Sequence, residues 1–343
     1  MTAGPAEADA IVVNFNGGAF VEDAVASLLA QDVDGLSVTV VDNGSTDGSA
    51  ERLEALFGPR IRLLRAERNL GFGAANNLAI RTSRAPHVVL LNPDAVAAEG
   101  FVRELVRAAE ADPRVGMVAA KVLDRERPDT IDTAGHLLYP DGLNRGRGRL
   151  EVDRGQYDGD REALFPSGAA ALYRRAMLDE VGSFDETFFL YGEDADLGLR
   201  GRLAGWTCAF APRAVAYHRY SAITGPHSTL KAFFVERNRV LVLVKLFPPG
   251  LVLASPAFTL VRLALHGWGA LTRRGAAARL AERTSLVHLV RVTLRAYASA
   301  LGALPHVLRE RRGLARRRVL SSREFRRLLA RHRLTAREAA FKD

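Results

Sequence analysis

The first 120 residues alternate between two hydrophobic periods, and this alternation constrains the fold more than any other feature of the chain. Apolar runs at 10–14, 38–42, 61–65, 87–92 and 115–119 have the length and β-branched content of buried strands. Between them, 20–31, 49–57, 74–82 and 101–110 carry apolar residues at helical spacing. Repeated strand–helix units predict an α/β fold with a mostly parallel central sheet and helices on both faces. In an open sheet of this kind, ligands bind outside the carboxyl ends of the strands. Polar residues directly after each apolar run are therefore the first places to look for function.

The texture then changes. Residues 124–160 are rich in Gly, Asp and Arg and poor in apolar runs. They read as a long excursion with hairpin character over the ligand face, because loops of this length in compact domains are usually functional or disordered. A strand is expected at 169–173, helices at 174–180 and 195–204, and two short strands at 207–211 and 214–217. From about 226 the pattern is helical to the end. No internal repeat is visible. The expected organisation is a body over 1–245 and a helical extension over 246–343.

Charge follows the same division. The net charge is +9, yet residues 273–343 hold 19 Arg/Lys against 5 Asp/Glu, about +14, which leaves the rest near −5. An arginine-rich tail attracts anionic lipid or nucleic acid. No nucleic-acid-binding motif accompanies it, so contact with an anionic membrane surface or a partner subunit is expected, and nucleic acid is not. Within 246–261 the apolar run is interrupted by Pro248, Pro249 and Pro256 and is followed by Arg262 and His266. That suits a segment lying in a membrane interface better than one crossing it. A helical hairpin packed on the body and a homo-oligomer interface are the competing expectations. Cys208 is the single cysteine, which excludes an internal disulfide and fits a reducing compartment. Residues 1–9 have neither the basic start nor the apolar core of a secretory leader. A cytoplasmic location follows as the expectation.

Several strand ends carry candidate chemistry. The run from His87 to Leu91 is followed by Asn92-Pro93-Asp94. Proline cannot donate to a ladder, so the strand should stop there and leave Asp94 at the ligand edge. A metal or phosphate role competes with an Asp that simply caps or turns. Asp42 ends the second strand before Asn43-Gly44-Ser45-Thr46-Asp47 and could hold a ribose or base edge. Gly71-Phe72-Gly73 imitates a dinucleotide fingerprint, but Asn76 replaces the third glycine and the motif follows the third strand. A dinucleotide fold is not expected; Asn69, Asn76 and Asn77 could instead bond a nucleotide. Glu193, Asp194 and Asp196 crowd the start of a helix after Phe188-Phe189-Leu190-Tyr191. The helix dipole explains acidic residues there, whereas an apolar setting would suit a base. His218 ends a later strand and on its own reads as structural.

Taken in order, Val12-Val13-Asn14-Phe15-Asn16-Gly17, Val41-Asp42-Asn43-Gly44, Asn69-Leu70-Gly71-Phe72-Gly73, Leu91-Asn92-Pro93-Asp94 and Gly192-Glu193-Asp194-Ala195-Asp196-Leu197 resemble the family 2 inverting glycosyltransferases of GT-A (Rossmann-like) fold, the bacterial rhamnosyltransferase-like branch above all. The resemblance covers roughly 10–245. It implies a nucleotide-binding half over about 10–120 and an acceptor and catalytic half over about 121–245. It also implies roles. Asn14 and Asp42 would hold base and ribose, and Asn69, Gly71 and Phe72 would line the nucleotide pocket. Asp94 would bind Mg²⁺ or Mn²⁺ at the donor diphosphate, with Asn92 at the motif's first position. Asp194 would be the catalytic base, with Glu193 beside it, and His218 would complete the metal or diphosphate site. Arg237-Asn238 matches a recurrent pair to which no role is assigned.

The expected activity is metal-dependent inverting transfer of a sugar, such as rhamnose or a related deoxysugar. It would pass from a nucleotide-diphosphate donor to a glycan or lipid-linked acceptor in cell-surface polysaccharide synthesis, at the inner face of the cell membrane. A nucleotidyltransferase is the nearest rival, but its basic phosphate loop has no counterpart near 14–18. A nucleotide-sugar-binding scaffold without turnover is the alternative from another class, and the carboxylates at 94 and 194 speak against it.

Overall fold

The computed structural model describes residues 7–219, 228–272 and 285–342. Its frame is a nine-stranded mixed sheet wrapped by helices. The first half builds β1 (Ala8–Asn14), α1 (Phe20–Leu29), β2 (Leu36–Asp42), α2 (Ser49–Phe57), β3 (Arg62–Arg65), α3 (Phe72–Thr82), β4 (His87–Leu91), β5 (Ala95–Ala97), α4 (Phe101–Glu110) and β6 (Val115–Asp124). The second adds β7 (Ile131–Thr133), β8 (His136–Leu138), β9 (Asn144–Gly146), β10 (Ala170–Arg174), α5 (Arg175–Val181), α6 (Glu193–Leu203) and β11 (Thr207–His218). The described C-terminal helices are α7 (Thr229–Leu246), α8 (Pro249–Leu271), α9 (Leu286–Ala315), α10 (Ser322–Arg331) and α11 (Ala336–Phe341). The helical start expected near 226 lies outside the described residues.

Strand order is β3-β2-β1-β4-β10-β6-β11-β5, with β7 on β6. The first four run parallel, β10 is antiparallel to both β4 and β6, and β11 is parallel to β6. Two antiparallel steps restore direction, so β1, β2, β4, β6 and β11 all end at one edge. The order turns back between β1 and β4, which is the switch point where a crevice opens in such sheets.

Side-chain alternation divides the core in two. Ile11, Val13, Val88 and Leu90 face a cluster with α3, α5, α6 and α7, while Ala10, Val12, Val89 and Leu91 face one with α1 and α4. Residues of both parities are apolar because the strands are covered on both faces. The first cluster also takes in Ala300 and Val307 of α9 and Phe325 and Leu328 of α10, so the extension shares a core with the body.

Three local expectations need correction. The strands expected at 207–211 and 214–217 are one strand, in which a bulge between Ala211 and Val215 takes Pro212 out of the ladder. The strand beginning at Val115 runs on to Asp124 because β11 and β7 continue to pair with it. The three-residue β5 was not expected, being too short to leave a periodic signal. The excursion does contain the expected hairpin, as β8–β9.

The apolar segment after 246 also differs from its sequence reading. It continues as one helix, α8, to Leu271, and by length and composition alone it could cross a membrane. Pro249 occupies the first turn, where its missing N–H costs nothing. Pro256 leaves the Val252 carbonyl without its usual donor, and the Ser255 hydroxyl supplies one at 2.7 Å. Ser255, Arg262 and Gly269, seven apart, form a buried inward stripe. Arg262 pairs with Asp141 (2.8 Å) and Glu236 (2.7 Å), which binds α8 to α7 and the β8–β9 hairpin. Leu253, Leu260, Trp268 and Leu271 face outward and are largely exposed.

Candidate active site

Sheet register gathers the predicted strand-end residues. Asn14 and Asp42 are paired at the ends of β1 and β2. Asp94 lies between β4 and β5, and the antiparallel β5–β11 pair sets Ala95 opposite His218. Residues 124 positions apart thus become neighbours: the His218 Nε2 lies 3.2 Å from an Asp94 carboxylate oxygen. The Asn92 amide nitrogen is 3.5 Å from the same Nε2. Asp94 and His218 are buried, at 4% and 6% exposure, and Asn92 is half-buried beside them.

His218 is backed by a residue that the sequence did not single out. Its Nδ1 lies 2.7 Å from Asp132 Oδ2 in β7, and Asp132 is itself paired to Arg149. Burial alone would depress the imidazole, but the two carboxylates outweigh it and hold His218 up at about 10. Burial likewise opposes the Asp132 charge, and the His218 contact overrides it, leaving that carboxyl below its ordinary range. A carboxylate on the far nitrogen of a histidine fixes the ring and its tautomer, the usual support for a metal-binding imidazole.

The donor chemistry suits a hard divalent cation. Mg²⁺ and Mn²⁺ favour oxygen ligands, and Mg²⁺ bonds of about 2.0–2.1 Å place adjacent octahedral ligands about 3 Å apart, close to the Asp94–His218 spacing. Among the described residues no cluster of three or more His, Cys, Asp or Glu surrounds a single point. Two protein ligands leave room for phosphate oxygens and water, as is common for Mg²⁺ at diphosphates.

On the neighbouring loops, Asn14 is fully buried and its amide is committed to internal bonds. Nδ2 donates to Asp42 (3.1 Å), Ser45 (3.1 Å) and Ser49 (2.8 Å), and Oδ1 accepts from the Gly17 N–H. It stitches β1 to the turn after β2. Asn43 does the same one loop over: Nδ2 donates to Asn69 Oδ1 and Oδ1 accepts from the Leu70 N–H. Asn69 Oδ1 also accepts from Gly71 N–H at 2.9 Å. Gly71 has φ +86°, and any Cβ there would collide with the Phe189 backbone. Phe72 begins α3, and its N–H donates to the Phe189 carbonyl at 2.7 Å.

The three acidic residues at the head of α6 separate. Asp196 is fully buried and bonds Arg200 (2.7 Å) and Lys245 (2.8 Å) in the core. Glu193 is buried with Oε2 unpartnered. Burial, and then the neighbouring Asp194 charge, push Glu193 up to about 8, which favours its neutral form. Asp194 is half-buried and accepts from the Gly168 N–H at 3.2 Å. The Phe72 ring lies against Gly168 on the same side.

Gly168 and Ala169, at the entry to β10, connect the two ends of the site. The Gly168 N–H points to Asp194, and the Ala169 carbonyl accepts from the Asn92 N–H at 2.9 Å. His136, at the start of β8, lies within electrostatic reach of both Asp194 and Asp132, stacked on Phe165 with centroids 5.0 Å apart. Burial and the nearby Arg149 push its imidazole down, against the pull of those carboxylates. The residues that sequence reasoning missed are therefore Asp132, His136, Arg149 and Gly168. Of these only Gly168, in a Ser-Gly pair ahead of an apolar run, left a local signal.

Comparison with known proteins agrees. Residues 9–182 match the model described as Glycosyl transferase family 2. The chain is 31% identical over 245 residues to an N-acetylglucosaminyl-diphospho-decaprenol L-rhamnosyltransferase of Mycobacterium tuberculosis, an alignment covering 65% of this chain and 80% of that one. The solved mannosyltransferase PcManGT from Pyrobaculum calidifontis, in complex with GDP-Man and Mn²⁺, superposes with TM-score 0.52 at 21% identity over 90% of each chain. GalNAc-T7 with UDP, GalNAc and Mn²⁺ gives TM-score 0.57 at 15% identity, over 71% of this chain and about half (48%) of that one. The fold, the ordered motifs and these matches identify the chain as a nucleotide-sugar glycosyltransferase belonging to glycosyl transferase family 2.

Proposed function

We propose that the chain catalyses inverting transfer of rhamnose or a related deoxysugar from a nucleotide-diphosphate donor to a glycan or lipid-linked acceptor in cell-surface polysaccharide synthesis. The observation that carries this reading is the Gly168–Ala169 junction, which joins Asp194 to the loop bearing Asp94. A carboxylate base beside a diphosphate-facing loop suits one displacement at the anomeric carbon. Asp194 would accept the proton of the acceptor hydroxyl as that oxygen bonds to the anomeric carbon. The bond from that carbon to the diphosphate oxygen breaks on the opposite face, which inverts the configuration without a covalent enzyme intermediate. Glu193, held neutral, would keep a second negative charge away from the attacking oxygen.

Asp94 and His218 would hold Mg²⁺ or Mn²⁺, with Asp132 fixing the ring. When bound, the ion supplies charge neutralisation at the departing diphosphate. Asp42, Asn69, Gly71 and Phe72 would border the nucleotide, and Asn14 would shape that border through its internal bonds. The choice of rhamnose and of a lipid-linked acceptor is supported by similarity to the mycobacterial rhamnosyltransferase.

Residues 1–245 would form the catalytic body and 246–343 an extension resting on an anionic membrane surface at the inner face. What supports an interfacial rather than spanning α8 is Arg262, which is buried against Asp141 and Glu236 while the opposite face is apolar. Cosedimentation with anionic vesicles is expected to fall at least tenfold in a Leu253→Ser/Leu260→Ser/Trp268→Ser variant. Unchanged binding removes the membrane role for α8.

The central test is turnover of a panel of UDP-, GDP- and dTDP-linked sugars, dTDP-rhamnose included, with Mn²⁺ and an N-acetylglucosaminyl-diphospholipid acceptor. NMR of the product linkage should show inversion at the anomeric centre. A retained configuration overturns the mechanism, and turnover unaffected by a chelator overturns the metal role.

A further inference from the structure

The segment between α5 and the head of α6 holds unusual backbone. Phe189 has φ +62°, Tyr191 φ +64° and Gly192 φ +85°. Glycine enters this left-handed region freely, but a bulky side chain there is strained, so two such residues persist only where their surroundings over-determine them. The strained stretch leads directly into Glu193 and Asp194.

What over-determines it is Asn238, on α7 and fully buried. Its Nδ2 donates to the carbonyls of Phe188 (2.8 Å), Leu190 (2.9 Å) and Tyr191 (2.6 Å). Two amide hydrogens serve three carbonyls, so at least one is shared. The Asn238 Oδ1 accepts from Arg237 Nη1 at 2.6 Å, and the same guanidinium nitrogen donates to the Thr187 carbonyl at 3.0 Å. Arg237 thereby fixes which end of the amide faces the loop. From the other side the Phe72 N–H holds the Phe189 carbonyl, next to a Gly71 that admits no side chain. The loop is thus gripped between α7 and the start of α3.

We propose that Asn238 is a positioning residue for transfer: it sets the Asp194 carboxylate by holding the strained 188–192 backbone, and Arg237 holds the Asn238 amide in its donating orientation. This rests on Asp194 being the base. Neither residue needs to touch donor or acceptor. Displacing a reacting group by about 1 Å can cost roughly a hundredfold in rate, so Asn238→Ala should lower kcat about a hundredfold. Affinity for UDP, GDP or dTDP with Mn²⁺, measured calorimetrically with whichever nucleotide the parent binds, should stay within twofold.

The experiment measures kcat, with the panel donor that the parent turns over, and nucleotide affinity for four variants: Asn238→Ala, Arg237→Gln, Asp194→Asn and Asp194→Asn/Asn238→Ala. Arg237 is only half-buried, so its variant serves if Asn238→Ala does not fold, and about tenfold loss of kcat with unchanged nucleotide affinity is expected. Because the two residues act as one unit, the double variant should be no slower than Asp194→Asn alone. Independent, additive losses overturn the proposal, as does a kcat within threefold of the parent in both position-237 and position-238 variants. An equal fall in nucleotide affinity assigns Asn238 to ground-state binding and also overturns it. Turnover retained by Asp194→Asn refutes the base itself, a result distinguishable from failure of the Asn238 link alone.

Discussion

Asp194 and Asp196 stand two residues apart in the first turn of α6 and face opposite regions of the molecule. Asp196 points into a buried ionic belt with Lys245, Arg200 and Asp185, where each carboxylate meets a cation. Asp194 points to the sheet edge, where it accepts from the backbone N–H groups of Gly168 and Ala195. The second belt, Asp141, Glu236, Arg239 and Arg262, is compensated in the same way as the first. At the edge, by contrast, Glu193 is buried with an unpartnered oxygen and His218 is wedged between two carboxylates. In the belts carboxylates are held ionised by guanidinium and ammonium groups, whereas at the edge proton affinity itself is shifted, Glu193 upward by burial and His218 upward by its two carboxylates.

The contrast breaks most visibly at the two aspartates themselves. Asp194→Asn should reduce turnover by about 10²–10⁴-fold, the usual contribution of a general base, with a melting temperature close to the parent. Asp196→Ala should do the reverse, costing about 3–5 kcal/mol in denaturant titrations because it leaves Lys245 and Arg200 short of a partner. Its turnover per folded molecule should be nearly normal. If the two phenotypes were exchanged, the division between edge and belt would be wrong.

A smaller effect is expected behind the histidine. Asp132→Asn keeps the size of the side chain but removes the charge that fixes His218. Mn²⁺ affinity in the presence of a nucleotide diphosphate should weaken about 10- to 100-fold, read by electron paramagnetic resonance. An unchanged affinity would reduce Asp132 to a packing role.

The remaining expected effect is a slope. Glu193 binds its proton more tightly in the folded state, at about 8, than its ordinary value of 4.5. Between those values the native state holds more protons than the unfolded one, so stability falls as pH rises from about 4.5 through about 8. Glu236 runs the other way, because burial opposes its charge but Arg262 and Arg239 prevail and hold it down at about 2. Its stabilisation is present above 4.5 and is lost as pH falls toward 2. Glu193→Gln should flatten the decline between about pH 5 and 8 in thermal melts and leave the acid limb in place. A decline that persists unaltered in that variant belongs to some other group.

These differences also explain what the sequence could reveal. Asp42 and Asp94 were legible because each interrupts an apolar run at a strand end, a local signal. Strands β1–β4 and β6 and helices α1–α4 were legible for the same reason, since each carries its own period. Asp132 and Arg149 were not, because they lie in a stretch without periodicity and acquire meaning only when sheet register brings His218 to Asp132 from 86 residues away, with Arg149 paired to Asp132 behind it. Asn238 stood out only as part of a recurrent Arg-Asn pair without a role, and its work is visible only in the carbonyls it meets. The bulge at Pro212 read as a break between strands because proline's missing donor looks the same in sequence whether a strand ends or bends.

The Gly168–Ala169 junction has one further consequence. The two residues are the centre of a turn closed by the Ala170 N–H on the Ser167 carbonyl, and from it the Gly168 N–H reaches Asp194 while the Ala169 carbonyl reaches the loop of Asn92 and Asp94. The spacing between Asp194 and the loop of Asn92 and Asp94 is therefore gauged by a backbone turn, bonded to backbone at one end and to the Asp194 carboxylate at the other. Residues lining the sugar and acceptor pockets can change across a lineage without resetting that gauge. A lineage built on it can exchange one sugar for another while the bond-making geometry is inherited intact.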